Sequence, residues 1–245
     1  MIFINAPIAI GKTSLAKLLS KDLGTHAFLE VPEKIPLLND FYSDGKISRE
    51  LKSFAVQIEF LDYRYEQLMQ GVFLAQEGEN NTVYDSSLIS DATMSKNLYN
   101  RGEFPEILYK DYLRLNNVMQ RNVSGHPFMG PDLIVYLEAP FEQMLENINK
   151  RGRKMETTDS KLVEYYKSVW NIYRDWYQSY GQTPVLKIDV GGIDFVNNVE
   201  ERDAILNKIE EELVELGKLT QSEFEQIKAE RAEKFNDPIT TKESA

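Results

Sequence analysis

The sequence predicts an α/β domain with a largely parallel sheet, and three observations carry that reading. Short apolar runs alternate with longer stretches of helical spacing, as strands joined by crossover helices do. The chain opens on an apolar run that passes through a Gly-Lys-Thr turn into a helix-like stretch. Its 245 residues, 42% of them hydrophobic, suffice for one sizeable core.

In chain order, strands are expected over 1–5, 27–30, 82–85, 133–137 and 185–188, and helices over 12–23, 50–76, 141–150, 161–179 and 201–216. In the long second helix, Phe54, Ile58, Leu61, Tyr65 and Leu68 recur at steps of three and four, an apolar stripe expected to face the core. Residues 100–105 and 124–131 are turn-rich breaks. Ser222-Glu223-Phe224-Glu225 has the spacing of a helix capping box and opens a charged helix that runs to Phe235. The expected organisation is a domain over 1–217, an additional C-terminal helix over 218–235 and a flexible polar tail over 236–245.

Composition narrows the function. With no cysteine, disulfides, thiolate metal sites and thiol redox chemistry are excluded. A formal net charge of -11 argues against a nucleic-acid partner, which needs a concentrated basic stripe. No stretch has about twenty uninterrupted apolar residues, and the first five residues do not make a signal peptide, so no membrane partner and a cytoplasmic location are expected. His26 and His126 have no companions at metal-ligand spacing, and Trp170 and Trp176 fit a packed helix.

"INAPIAIGKTSL", residues 4–15, departs at one position from the phosphate-loop pattern G-x-x-x-x-G-K-[ST], with Ala6 in the place of the first glycine. In such a loop consecutive backbone N–H groups and a helix N-terminus converge on an anion. Ala9, Ile10, Gly11, Lys12, Thr13 and Ser14 are the expected nucleotide contacts, Lys12 supplying the cation and Thr13 a hydroxyl for Mg²⁺. Alanine at position 6 is tolerated if its φ is negative and strained if φ is positive.

Four further clusters accompany the loop. Glu30 ends the second strand, where ligands of open α/β sheets bind, and is placed to accept a substrate proton; a solvent-facing glutamate is the plain alternative. Gln57 and Arg64, seven apart on one side of the long helix with Leu61 between them, border the apolar stripe and can read a base or reach solvent. In "VYDSSLISDA", Asp85 ends a strand and is placed to hold Mg²⁺ or its water, while Asp91 can pair with Arg64. Lys150, Arg151, Arg153 and Lys154 gather around a glycine, as in a cover that closes over phosphates or, more simply, a solvated helix end.

In this order the motifs resemble the deoxynucleoside kinase family over about residues 1–215: the phosphate loop, a glutamate after the second strand, F-x-x-Q-x-x-x-x-x-x-R as Phe54 to Arg64, D/E-R-S-x-x-x-D as Asp85 to Asp91, and R-G-R-x-x-E as Arg151 to Glu156. The resemblance implies a P-loop NTPase-type fold: a five-stranded parallel sheet surrounded by helices, with an Arg-rich lid and commonly a dimer through helix packing. It implies transfer of the ATP γ-phosphate to the 5′-hydroxyl of a deoxynucleoside, with purines favoured by likeness to the bacterial members. Glu30 is then the base, Gln57, Arg64 and Asp91 read the nucleobase, and Tyr42 and Glu156 contact the sugar. Lys12, Thr13, Asp85, Arg151 and Arg153 serve phosphates and Mg²⁺, Lys12, Arg151 and Arg153 with Glu30 forming the catalytic set.

Besides Ala6, the sequence departs from the family pattern at Ser86, where arginine is usual, at Asn147, where a first cover arginine is usual, and at Ile35. Lys150 or Lys154 can stand in for Asn147, whereas no cation is expected in the place of Ser86. Loss of a phosphate-clamping arginine lowers rates by orders of magnitude. A nucleotide-binding paralogue of weak or no activity, serving as one half of a heterodimer, is therefore the alternative to a homodimeric kinase. A thymidylate-like monophosphate kinase is a third reading, disfavoured because Ser86 offers no cation to an acceptor phosphate.

Overall fold

The computed structural model describes residues 1–42, 47–124, 130–153, 156 and 160–236. His126, Lys154 and the expected tail from residue 237 onward lie outside the described residues. Five parallel strands, β1 (Ile2–Asn5), β2 (Ala27–Phe28), β3 (Val83–Asp85), β4 (Leu133–Glu138) and β5 (Val185–Asp189), lie in the order β2-β3-β1-β4-β5. β1 pairs with β3 through Ile4 and Asp85 and with β4 through Ile4 and Val135. The chain thus leaves β1 for one side of the sheet and later crosses to the other, which opens a crevice at the carboxyl end of β1. β1 is buried throughout and β4 in its first five residues, which is why both read as unbroken apolar runs.

The helices are α1 (Lys12–Leu23), α2 (Leu37–Tyr42), α3 (Arg49–Gln76), α4 (Leu88–Asn100), α5 (Glu106–Ser124), α6 (Phe141–Arg151), α7 (Ser160–Ser179), α8 (Val199–Glu215) and α9 (Gln221–Asn236). Ser48, Ser87 and Asn198 cap α3, α4 and α8 with their side chains. Gly71 lets α3 lie close on β3, since a Cβ there would stand 1.6 Å from the Tyr84 hydroxyl.

The structure corrects the sequence reading in four places. β2 ends at Phe28 rather than Glu30, because the Leu29 carbonyl accepts from Tyr63 (2.9 Å) and from Gln67 (2.8 Å) instead of a neighbouring strand. The buried face of α3 runs through Val56, Gln57, Leu61, Arg64 and Leu68, so Gln57 and Arg64 stand within it rather than at its border, while Phe54, Ile58 and Tyr65 are half-buried. α2, α4 and α5 lie outside the expected helices: the buried face of α4 is largely polar, with Ser90, Asp91, Thr93, Ser95 and Asn97 between Leu88 and Leu98, whereas α5 turns Leu108, Tyr112 and Met119 to the core at ordinary helical spacing. The box at the start of α9 is Thr220 with Glu223, two residues early: the Thr220 N–H donates to Glu223 (2.7 Å) and the Glu223 N–H to the Thr220 hydroxyl (3.2 Å).

α9 is docked against α1 and α8 around a buried cation, with Lys234 donating to the Asp22 carbonyl (2.8 Å) beside it. Arg231, 3% exposed, donates to Asp22 of α1 (2.7 Å), to Glu210 of α8 (2.5 Å) and to Asn207 (2.7 Å). Both carboxylates are fully buried. Burial and the neighbouring Asp22 push the Glu210 carboxyl up to about 9, so the folded protein keeps a proton there that the unfolded chain releases near 4.5. That group's contribution to stability is therefore complete below about 4.5 and declines as pH rises towards 9. Glu210→Gln, neutral at every pH, is expected to flatten this decline in melting experiments across pH 5 to 10. Arg231→Leu, which strands the acidic pair, is expected to lower the unfolding free energy by about 3–5 kcal/mol in urea titration.

Candidate functional site

The crevice at the end of β1 holds a cavity of about 380 Å³, and every sequence-selected site residue except Ile10 lines it. Ile10 is turned into the core at 2% exposure, so its side chain is structural and only its backbone belongs to the loop.

The phosphate loop runs from β1 into α1, which starts after Gly11 (φ 95) with no side-chain cap, so its first-turn N–H groups are open to an anion. Ala6 is not among the residues with positive φ; the left-handed alanine is Ala9, at φ 59. The strain expected of the missing glycine therefore falls three residues later. The Ala9 carbonyl accepts from the Asn147 side chain (2.9 Å), which ties α6 to the loop. Asn147, where a first cover arginine is usual in the family pattern, is thus a clasp on the loop. Lys12 donates to the carbonyls of Ala6 (3.1 Å) and Pro7 (3.2 Å), and burial lowers its pKa although Asp85 and Glu30 oppose the shift.

The Thr13 hydroxyl donates to Asp85 Oδ2 (2.5 Å), while Asp85 Oδ1 is buried without a hydrogen-bond partner. Burial and the nearby Glu30 raise the Asp85 pKa. A buried, unsatisfied carboxylate oxygen beside a hydroxyl is an oxygen donor set that suits Mg²⁺.

Arg64 forms the floor of the cavity. Its guanidinium donates to Glu30 Oε2 (2.7 Å), to Asp91 Oδ1 (2.7 Å) and to the Asp85 carbonyl (3.2 Å). Burial alone would raise the Glu30 pKa, but Arg64 and Lys12 outweigh it and hold the carboxyl below its ordinary value. Asp91, buried more deeply, is pushed up to about 6 by burial against the pull of Arg64, and its Oδ2 has no partner. A cation from α3 thus reaches Glu30 at a level where β3 supplies none. Ser86 itself turns the chain at φ 84 towards the Ser87 cap.

On the lid side, Arg151 donates to Glu156 through Nε (3.0 Å), and Arg153 stands 3.6 Å from the same carboxylate. The Glu156 side chain is 4% exposed and is paired with both arginines. Tyr42 reaches the cavity beside Tyr165, with ring centroids 6.4 Å apart, and burial carries its pKa well above the usual value. Phe60, Tyr165 and Tyr173 also line the cavity and were not selected from sequence. Phe60 was within reach, because it lies three residues after Gln57 and four before Arg64, on the same ridge of α3. The tyrosines look like ordinary core residues of α7 and carry no such signal.

Fold and site together define a phosphate-loop phosphotransferase that takes its phosphate from a nucleotide. A family model described as deoxynucleoside kinase matches residues 2–215, and the chain belongs to that family. Over 221 residues it is 33% identical to a deoxyadenosine kinase of Lactobacillus acidophilus, spanning 89% of this chain and 99% of that one. To a deoxyguanosine kinase of Lactobacillus johnsonii it is 34% identical over 221 residues, 89% and 94% of the two chains. A solved structure of deoxyadenosine kinase from M. mycoides with bound dATP is similar with a TM-score of 0.69 at 25% identity, over 85% of this chain and 98% of that one. No helix among the described residues is long and apolar enough to cross a membrane.

The two alanines of the loop are expected to respond oppositely to glycine. Ala9→Gly relieves a left-handed residue and is expected to stabilise, whereas Ala6→Gly only loosens the unfolded chain and is expected to destabilise, each by about 1 kcal/mol or less in denaturant titration.

Proposed function

We propose that the chain transfers the γ-phosphate of ATP to the 5′-hydroxyl of a purine deoxynucleoside, as an Mg²⁺-dependent step of nucleotide salvage in the cytoplasm. The observation that carries this reading is the single guanidinium of Arg64, which joins Glu30 to Asp91 along one wall of a cavity whose other end is the phosphate loop. Glu30, ionised at neutral pH, takes the proton of the 5′-hydroxyl as that oxygen bonds to the γ-phosphorus and the bond to the β-phosphate oxygen breaks, releasing ADP. Gln57, Arg64 and Asp91 read the base, and Tyr42 and Glu156 face the sugar. Lys12 with the N–H groups of residues 9–14, and Arg151 with Arg153, neutralise the phosphates. Thr13 and Asp85 would hold Mg²⁺, which supplies charge neutralisation between the phosphates.

The purine preference is supported by the names of the relatives, deoxyadenosine and deoxyguanosine kinases. A dimer through helix packing, with a second copy or a paralogue, is supported by Ile107 and Val118, three turns apart and 72% and 57% exposed on α5. α9, outside the matched residues 2–215, is an appended helix on the kinase domain.

The test is transfer of labelled γ-phosphate from ATP to a panel of deoxynucleosides, with thymidine and dTMP offered side by side. Product is expected from a purine deoxynucleoside and not from dTMP. Glu30→Gln is expected to lower kcat about 10²- to 10⁴-fold with little change in KM, and Lys12→Ala to remove activity. ATP binding without product from any nucleoside would overturn the reading in favour of a partner subunit.

Asp91 and Glu30 also separate two pH effects. As pH falls through about 6, Asp91 takes up a proton and its negative charge is lost, so KM for the nucleoside is expected to rise. Glu30, held below its ordinary value by Arg64 and Lys12, stays ionised, so kcat is expected to stay level over the same range. Steady-state kinetics from pH 5 to 8, with Asp91→Asn expected to remove the KM inflection, check both.

A further inference from the structure

At the end of the cavity where Tyr42 stands, three charged groups that the proposed chemistry does not use converge on the wall from outside. Phe41, Tyr42 and Tyr165 line the cavity there, and the Phe41 ring lies 5.1 Å from that of Tyr42 and 5.9 Å from that of Tyr165 between centroids. The guanidinium of Arg49 stands 3.7 Å from the centroid of the Phe41 ring, and that of Arg101 stands 5.5 Å from the centroid of the Tyr165 ring. Glu103 ties the two arginines together, accepting from Arg49 Nε at one oxygen (2.8 Å) and from Arg101 Nε at the other (2.7 Å). None of the three charged residues lines the cavity itself.

Backbone geometry fixes the anion. α4 closes on Gly102 in the left-handed conformation (φ 72), with the Gly102 N–H donating to the Tyr99 carbonyl (2.9 Å) and the Glu103 N–H to the Leu98 carbonyl (2.9 Å). This pair of bonds is the Schellman closure of a helix, so Glu103 projects from a rigid end. α2, by contrast, is six residues long and too short to hold its own position; α3 grips it at both ends. At its start the Leu37 N–H donates to Glu59 (3.0 Å), and at its finish Arg49 Nη1 donates to the carbonyl of Phe41, one of the last in the helix and so without an intrahelical partner. Tyr42 is the next residue and the last of α2. The place of Tyr42 therefore depends on a guanidinium whose own direction is set by Glu103. The side chains of Arg49, Arg101 and Glu103 are 34%, 25% and 18% exposed, and ion pairs so exposed add little to stability.

We propose that Arg49, Glu103 and Arg101 are positioning residues that hold Tyr42 in the place from which it meets the sugar. The proposal rests on the reading of Tyr42 as a sugar contact. A deoxyribose carries two hydroxyls, and the 5′-hydroxyl is the one that receives the phosphate, so the 3′-hydroxyl is the one left for the Tyr42 hydroxyl. A hydrogen bond between them weakens steeply with distance and angle, whereas contact between the ring and the apolar part of the sugar does not. Displacing Tyr42 therefore weakens a nucleoside that has the 3′-hydroxyl and spares one that lacks it.

The measurement is kcat and KM of the full chain and three variants for 2′-deoxyadenosine against 2′,3′-dideoxyadenosine, and for the same two forms of guanosine. On the better base the parent is expected to favour the deoxynucleoside by about tenfold or more in kcat/KM. Glu103→Gln keeps a single oxygen, which serves one arginine only. It is expected to lower that preference about threefold or more through KM for the deoxynucleoside, with KM for the dideoxynucleoside and both kcat values within about twofold. Arg49→Lys keeps the charge but not the fork that reaches both Phe41 and Glu103, and is expected to do the same. A merely structural role would weaken both nucleosides alike, which overturns the proposal, as does a preference that the two variants leave unmoved. Tyr42→Phe separates the two layers. If it leaves the preference unchanged, or the parent shows none, the reading of Tyr42 as a sugar contact is wrong and the proposal falls with it. If it collapses the preference while Glu103→Gln and Arg49→Lys do not, Tyr42 meets the hydroxyl but the charged groups do not position it. No product from any of the four nucleosides overturns the kinase reading itself.

Discussion

The site depends on one buried cation. Arg64 stands at a level of the cavity floor from which its guanidinium touches Glu30 beyond β2, the end of β3 and Asp91 on α4. A lysine, with one compact charge, cannot span three acceptors set in different directions, whereas the planar fork of arginine does. Burying this charge is tolerable only because two carboxylates come with it, and burying them is tolerable only because of the arginine. Each of the three segments is thus placed by the same balance, and Glu30, Asp91 and the end of β3 are parts of a single electrostatic unit.

This unit explains the composition of the helices around it. α3 and α4 present polar residues inward, because the space they enclose is a binding cavity rather than an apolar core. Ser90 and Ser87 are hydrogen-bonded to Asn5 at the end of β1, and Ser95 to Gln57, so the polar groups of α4 are mostly satisfied by one another before any ligand arrives. Asp91 Oδ2 on α4 and Asp85 Oδ1 at the end of β3 are left without a partner, and both residues line the cavity.

The same polarity decided what the sequence made legible. Strands β1, β3, β4 and β5 and helices α1, α3, α6, α7 and α8 follow ordinary apolar periodicity, and their expected bounds fall within two residues of those found. α4 hid behind serines, because periodicity registers burial in oil and not burial against a site. The residues gathered in the cavity were legible because their chemistry is specific: a Gly-Lys-Thr turn, a carboxylate after a strand, a Gln and an Arg two turns apart. What stayed hidden depends on long-range geometry. No local signal moves the left-handed residue from Ala6 to Ala9, sends Arg64 across to Glu30, or makes Asn147 a clasp on the loop.

The docking of α9 makes one patch of the kinase domain conditional. Asp22 and Glu210 are buried together under Arg231, which arrives from a helix outside the matched residues. Lifting that helix away removes the cation and uncovers both acids at once, so water replaces the arginine as their partner and the face shared by α1 and α8 turns from a dry, proton-retaining contact into an acidic, hydrated surface.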